Sequence, residues 1–395
     1  MAPNIAVTLV LLIGLFERCS SATAAYNVVT FGARGDGNTD STKAFLRAWS
    51  AACSTSVRGA ATVYVPRGSF LIKPVVFSGP CRSSRVTFQM DATGTSLVAP
   101  SNYWELGNSG TWILFIKVTG LSVYGGTVDA RGHAYWQCRR YGKSCTAGAR
   151  SVSLFWCNNV VVSGLRSMNS QTMHMAIDNC NNVVVKNVKI RAPSSSPNTD
   201  GIHIEASTGV TVSGSTIMTG DDCISIGSGS KNLWLERIAC GPGHGISIGS
   251  LGDNANEDGV QNVTVTNCVF TKTQNGVRIK TWARASNGYA TNIVFRNLIM
   301  KNVNNPIIID QKYCPGNQGC PRQSSGVKIS RVTYTNIRGT SASKVAMNFY
   351  CSSSNPCWGL KLQDIRLTYL NKAATSYCAN AGGSSSGVVI PRSCF

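Results

Sequence analysis

The sequence predicts an all-β solenoid, a parallel β-helix of about ten coils closed at its start by a short capping helix. Three observations carry this. Cys157-Asn158-Asn159-Val160-Val161-Val162 recurs as Cys180-Asn181-Asn182-Val183-Val184-Val185, and looser copies follow at Val210, Leu233, Val263, Ile293, Val327 and Leu360. Counted from Val160, the spacings are 23, 27, 23, 30, 30, 34 and 33 residues. Each copy sets β-branched residues in alternation between Gly, Asn and Ser turns. Helical periodicity is nearly confined to Ser41–Cys53, where Thr42, Phe45, Leu46 and Trp49 share one face. A leucine-rich repeat would need its Leu ladder, and a propeller a longer, steadier period. A solenoid also accommodates 395 residues in one domain, because its core grows lengthwise.

Along the chain, the apolar stretch from Ala6 to Phe16 precedes Ala22-Thr23-Ala24, an h-region followed by an A-x-A-like cleavage site. Residues 1–24 therefore read as a signal peptide, although no Lys or Arg precedes the apolar stretch, and residues 25–395 as a single parallel β-helix domain. The stretch is too short to span a bilayer comfortably. The helix at Ser41–Cys53 caps the first coil, Val86 and Leu121 mark weaker early coils, and the clear repeats begin at Cys157. Asn at the corners and aliphatics inside are expected to stack on their counterparts in adjacent coils.

Thirty-seven Lys and Arg against 17 Asp and Glu give a net charge of +20, a field that attracts polyanions. The cations are scattered, with no nucleic-acid-binding signature, so nucleic acid is disfavoured, and an anionic membrane and an acidic polysaccharide stay open. The plain alternative is that the charge serves solubility. Without an apolar run of 18 residues, a polytopic membrane protein is excluded.

Sixteen cysteines suit an oxidising compartment, and removal of Cys19 with the leader leaves an odd number. Close neighbours make candidate staples: Cys138/Cys145, Cys223/Cys240, Cys314/Cys320, Cys351/Cys357 and Cys378/Cys394, with Cys53/Cys81 closing a longer loop. Cys157, Cys180 and Cys268 remain as buried thiols. No Cys/His spacing supports a zinc site. Asn262-Val263-Thr264 is a glycosylation sequon. His133, His174 and His203 read as packing or hydrogen-bonding residues.

The chemistry lies on successive coils: Asn198-Thr199-Asp200, Gly220-Asp221-Asp222, Gly243-His244-Gly245 and Arg278-Ile279-Lys280. Stacking sets neighbouring coils about 5 Å apart, so three carboxylates, an imidazole and two cations converge. Such acids divide acid and base roles in glycoside hydrolysis, with mutual repulsion raising one pKa. Arg278 and Lys280 are two apart on a strand, share a face, and suit a sugar carboxylate. Singly, each group has a structural reading, as a turn, a loop residue or a solvated strand face. Four in order at coil spacing favour a site. Asp221 and Asp222 reach one site only where the backbone bends, because adjacent strand residues face opposite ways.

These four motifs resemble, in order, the signature motifs of polygalacturonases, the pectin-degrading members of glycoside hydrolase family 28. The resemblance runs from about Tyr26 to Cys394. It includes Val29-Thr30-Phe31-Gly32-Ala33 with Gly35-Asp36-Gly37, and Gly126-Thr127-Val128-Asp129 with Gly132 and Trp136; Ala130 stands where the family pattern has glycine. It implies a right-handed parallel β-helix and inverting hydrolysis of α-1,4-galacturonosyl bonds. Asp221 matches the general acid, Asp200 and Asp222 the residues that activate water, and His244 a residue that tunes the acid. Arg278 and Lys280 match the binders of the substrate carboxylate, Asn198 belongs to the first motif as a substrate-binding candidate, and Tyr313 lines the same subsite. No metal or cofactor is expected. The expected setting is the cell wall, with pectin as partner, a monomeric enzyme and a proteinaceous inhibitor as a further candidate partner. Endo action leads. Exo action, a calcium-dependent pectate lyase and a non-catalytic pectin-binding β-helix stand as alternatives.

Overall fold

The computed structural model describes residues 24–55, 60–142 and 144–395. The predicted leader lies outside these apart from Ala24, the first residue of the strand Ala24–Asn27. Eleven strands form one parallel sheet, paired in chain order: β1 (Val75–Ser78), β2 (Thr111–Ile116), β3 (Arg150–Phe155), β4 (Met175–Asp178), β5 (Ile202–Glu205), β6 (Ile224–Ile226), β7 (Ile246–Leu251), β8 (Asn275–Trp282), β9 (Asn305–Tyr313), β10 (Val345–Tyr350) and β11 (Thr375–Ala379). A second, 23-stranded sheet supplies the other two faces of each coil. One face runs through Asn158–Ser163, Asn181–Lys186 and Thr208–Ser213, the other through Arg166–Met168, Lys189–Arg191 and Thr216–Met218. They merge where the long strand Tyr289–Val303 turns the corner and pairs with both Val260–Thr266 and Val269–Thr271. The chain is thus a right-handed parallel β-helix, as predicted.

The interior is built of columns. Ile177, Ile204, Ile226, Ile248, Ile279, Ile309 and Phe349 stand in register from β4 to β10, all buried. Each aliphatic removes its neighbours in adjacent coils from water, which is why one short strand per coil suffices. Corners need a left-handed residue, and Asn tolerates that conformation. Asn159, Asn182, Asn232, Asn262 and Asn292 take it in successive coils, with Gly209 in the one coil between Asn182 and Asn232. Their amides stack, Asn182 Nδ2 donating to Asn159 Oδ1 at 2.7 Å and Asn262 Nδ2 to Asn232 Oδ1 at 3.0 Å.

One repeat is misplaced by the sequence. The register sets Ile293 beside Val332, not Val327, which lies in the approach to the strand Lys328–Ser341. The coil there is 39 residues, lengthened by the loop that Cys314–Cys320 closes. The Asn cue is lost because Arg331 holds the left-handed corner and donates from Nε to Asn292 Oδ1 at 2.7 Å.

The cap is α1 (Thr42–Ser54). It buries Ala44, Phe45, Ala48, Trp49 and Ala52, whereas Leu46, expected on that face, is exposed. Phe45 packs on Phe70 and Phe88, and Trp49 on Phe77 and Phe115. A second helix, α2 (His133–Arg140), has only two turns, too few for periodicity to reveal it; Tyr135, Trp136 and Cys138 anchor it. All six candidate disulfides form, and Cys157, Cys180 and Cys268 are buried thiols.

Candidate active site

The site lies on the approaches to β5, β6 and β7 and along β8 and β9. Asp200, Asp222 and His244 each stand two residues before a matched isoleucine, Ile202, Ile224 and Ile246, so coil stacking aligns them. Gly201 N–H donates to Asp222 O at 2.9 Å and ties two of the levels together. The segment before β6 is bent, not extended. Gly220 permits this, since a Cβ there would meet Ser196 O at 2.0 Å. The bend brings Asp221 Oδ1 round to accept from Asp222 N–H at 2.8 Å, so two adjacent carboxylates enter one site. Gly245 has φ +90°, and its Cβ would strike Asn275 O at 2.2 Å, which explains the glycine after His244.

Asp222 is fully buried. Its Oδ1 accepts from Ser247 Oγ and Arg278 Nη2, and its Oδ2 from Lys280 Nζ, each at 2.8 Å. Burial alone would raise its pKa, but Lys280 and Arg278 outweigh this and hold the carboxyl below the usual range. Asp200 has no such cation. Burial, then the charges of Asp221 and Asp222, push it up to about 6. The repulsion expected among the acids therefore acts, together with burial, on Asp200. His244 Nδ1 lies 2.9 Å from Asp221 Oδ1. Burial lowers the imidazole pKa, but the bond to Asp221 reverses this and leaves His244 raised. Tyr313 spans the two cations, its ring centroid 5.0 Å from Lys280 Nζ and 5.8 Å from Arg278 Cζ.

A groove of about 460 Å³ is lined by Asn198, Asp221, His244, Arg278, Lys312 and Tyr313, among others. Asp222 and Lys280 lie beneath this lining and face each other, and Asp200 is also buried. Every residue predicted for the site is therefore at one place, but in two tiers. Asn198 also lines a second hollow of about 500 Å³, walled by Arg139, Arg150 and Tyr135. Arg139, Arg150, Lys312, Ser225 and Ser247 were not foreseen. Ser225 and Ser247 were nonetheless legible as the middle residues of Ile224-Ser225-Ile226 and Ile246-Ser247-Ile248, which share one outward column with the foreseen Arg278.

Asp221, Asp222 and His244 present ligand atoms within 4.8 Å of one another. They fit a metal ion poorly. Both oxygens of Asp222 are committed, and Arg278 and Lys280 put two positive charges where a cation would bind.

Residues 53–388 match the family model for glycosyl hydrolases family 28. A polygalacturonase of Prunus persica is 53% identical over 371 residues, 94% of this chain and 93% of that protein. An exopolygalacturonase of Platanus acerifolia is 41% identical, covering 94% of this chain and 98% of its own length. Among solved structures, an endo-xylogalacturonan hydrolase from Aspergillus tubingensis superposes with a TM-score of 0.79 at 23% identity, over 93% of this chain and 99% of that one.

Proposed function

The chain belongs to glycosyl hydrolase family 28, and from that premise we propose that it is a secreted, monomeric polygalacturonase that cuts α-1,4-galacturonosyl bonds inside pectin chains with inversion. One observation carries the reading: three carboxylates, a histidine and two cations meet at one groove, Asp221, His244 and Arg278 in its lining with Lys312, and Asp200, Asp222 and Lys280 buried behind it. Six disulfides fit the oxidising setting of the cell wall.

Asp221 is the general acid. Its Oδ1 is taken by His244 and by its own chain neighbour, which leaves Oδ2 to carry a proton to the groove. That proton passes to the glycosidic oxygen as the bond to the anomeric carbon breaks. Water attacks the same carbon from the opposite face, and Asp200, assisted by Asp222, takes the water's proton. His244, bonded to Asp221, returns a proton to the acid. Arg278 and Lys280 grip the substrate carboxylate, drawing part of their charge off Asp222, and Tyr313 lies against the same sugar. Asn198 binds at the junction of the two hollows.

Endo action rests on that junction. The hollow lined by Asp221, Arg278 and Lys312 adjoins, at Asn198, the second hollow with Arg139 and Arg150. A polyanion can therefore lie across the acid with residues bound on either side. The test is incubation with demethylated homogalacturonan, followed by reducing-end and chain-length analysis. Oligomers of mixed length are expected early in the reaction; release of monomer alone would sink endo action. Asp221→Asn is expected to lower turnover by about 10²–10⁴-fold while polymer binding persists.

A further inference from the structure

A strut of side chains drawn from three coils ends on the carboxylate grip. On β8, Arg278, Lys280 and Trp282 alternate with the fully buried Ile279 and Thr281, so the three share the outward face. β9 runs in register with β8 as far as Lys280 and Asp310 and then shifts, so that Trp282 stands beside Tyr313. Two residues on β8 thus match three on β9. Unbroken alternation would set Lys312 beside Trp282. The bulge re-aims the tyrosine, as bulges beside active sites do.

The Trp282 and Tyr313 rings lie 5.2 Å apart between centroids and cross at 69°, an edge-to-face contact. Arg284 Cζ lies 5.3 Å from the Trp282 centroid, and Asp253, in the loop after β7, pairs with the same guanidinium. Arg284 O also accepts from Gly326 N–H at 2.8 Å, which ties down the far end of the loop that follows Tyr313. Arg278 and Lys280 are each fixed by an ion pair with Asp222. Tyr313 is neutral and stands at the mouth of a loop whose residues 315–320 are exposed. Its place over the two cations depends on the ring it packs against.

We propose that Trp282 is a positioning residue: backed by Arg284, it holds the Tyr313 ring across Lys280 and Arg278, so that the grip on the sugar carboxylate is formed before substrate arrives. A ring fixed in advance loses less freedom when the sugar binds. This rests on the roles given above to Tyr313, Arg278 and Lys280.

The test is steady-state kinetics on demethylated homogalacturonan, with melting temperature as the control for folding. Trp282→Leu removes the ring contact. It is expected to raise KM about three- to tenfold with kcat within about twofold of wild type, the signature of lost uniform binding. Trp282→Phe keeps a ring for Tyr313 to pack on and should return KM to within about twofold. Because Trp282 acts through Tyr313, Trp282→Leu should change KM by less than about twofold in a Tyr313→Ala background. Arg284→Met, at a side chain 46% exposed, probes the same strut where folding is not at stake. It is expected to raise KM about two- to threefold with Tyr313 present and to leave it unchanged in Tyr313→Ala. An unmoved KM in Trp282→Leu, a fall in kcat in place of the rise in KM, or effects that multiply in full in the double variant would overturn the strut. Tyr313→Ala separates the two claims. An unmoved KM there would remove the role assigned to Tyr313, and the strut with it, whereas a raised KM there with wild-type KM in Trp282→Leu and Arg284→Met defeats the strut alone.

Discussion

Lys280 Nζ lies 2.8 Å from Asp222 Oδ2 although 58 residues separate them in the chain. The pair is buried, and Asp222 has no water to solvate it if a cation leaves. Lys280→Met should therefore expose the cost of an under-compensated charge. Arg278 still reaches the other oxygen, so the loss is expected to be about 3 kcal/mol, the low end for breaking a buried pair. Asp222→Asn should also destabilise, by leaving two cations facing a neutral group. The double variant should cost less than the sum, because each change removes the other's unmatched charge. Denaturant midpoints of the three variants decide this; full additivity would mean that the two side chains do not interact.

The same electrostatics set a pH window. As base, Asp200 must be ionised, and it is held at about 6 by burial and by its two acidic neighbours. Activity should therefore be lost as pH falls through about 6. The acid side needs a proton on the His244–Asp221 pair, and His244 is raised above its ordinary value by that bond. Activity should be lost again as pH rises through the raised imidazole value. The expected kcat/KM profile is a bell with an acid limb near pH 6. His244→Gln should displace the alkaline limb from the imidazole value and leave the acid limb in place. A profile with no acid limb between about pH 5 and 7 would be incompatible with Asp200 as base.

Much of this was legible in the residues because a coil repeats its chemistry in register. The Asn-Asn-Val runs announce a corner followed by an inward aliphatic, and the stacked strands obey them. The four motifs at coil spacing announce the convergence at Asp200, Asp221, Asp222 and His244. What was hidden depends on backbone shape and on tiers. Nothing in Gly220-Asp221-Asp222 says that the bend turns Asp221 to the groove and Asp222 inward, because that is decided by Ser196 O packed against Gly220. Nor does Arg278-Ile279-Lys280 say that both cations will face a carboxylate of the protein before any substrate arrives. The corner at Arg331 escaped because a long side chain does there what Asn does elsewhere.

The cap offers a test of the solenoid itself. Trp49 closes the first coils, packing on Phe77 of β1 and Phe115 of β2, and its Nε1 donates to Ser78 O at 3.0 Å. Trp49→Ala leaves a cavity and an unpaired carbonyl, with an expected loss of about 3–5 kcal/mol. In a globular core that loss would be felt everywhere. In a solenoid each coil touches only its neighbours, so the loss should be concentrated at the N-terminal end. The catalytic acids begin just before β5, beyond β3 and β4, and only the second hollow, with Arg139 and Arg150, lies nearer the cap. Trp49→Ala is therefore expected to open the region before β3 to proteolysis and to quicken its hydrogen exchange, while kcat at low temperature stays within about twofold of wild type. Uniform loss of exchange protection from β1 to β11 would show that the coils unfold as one cooperative unit, and the local account of the cap would fall.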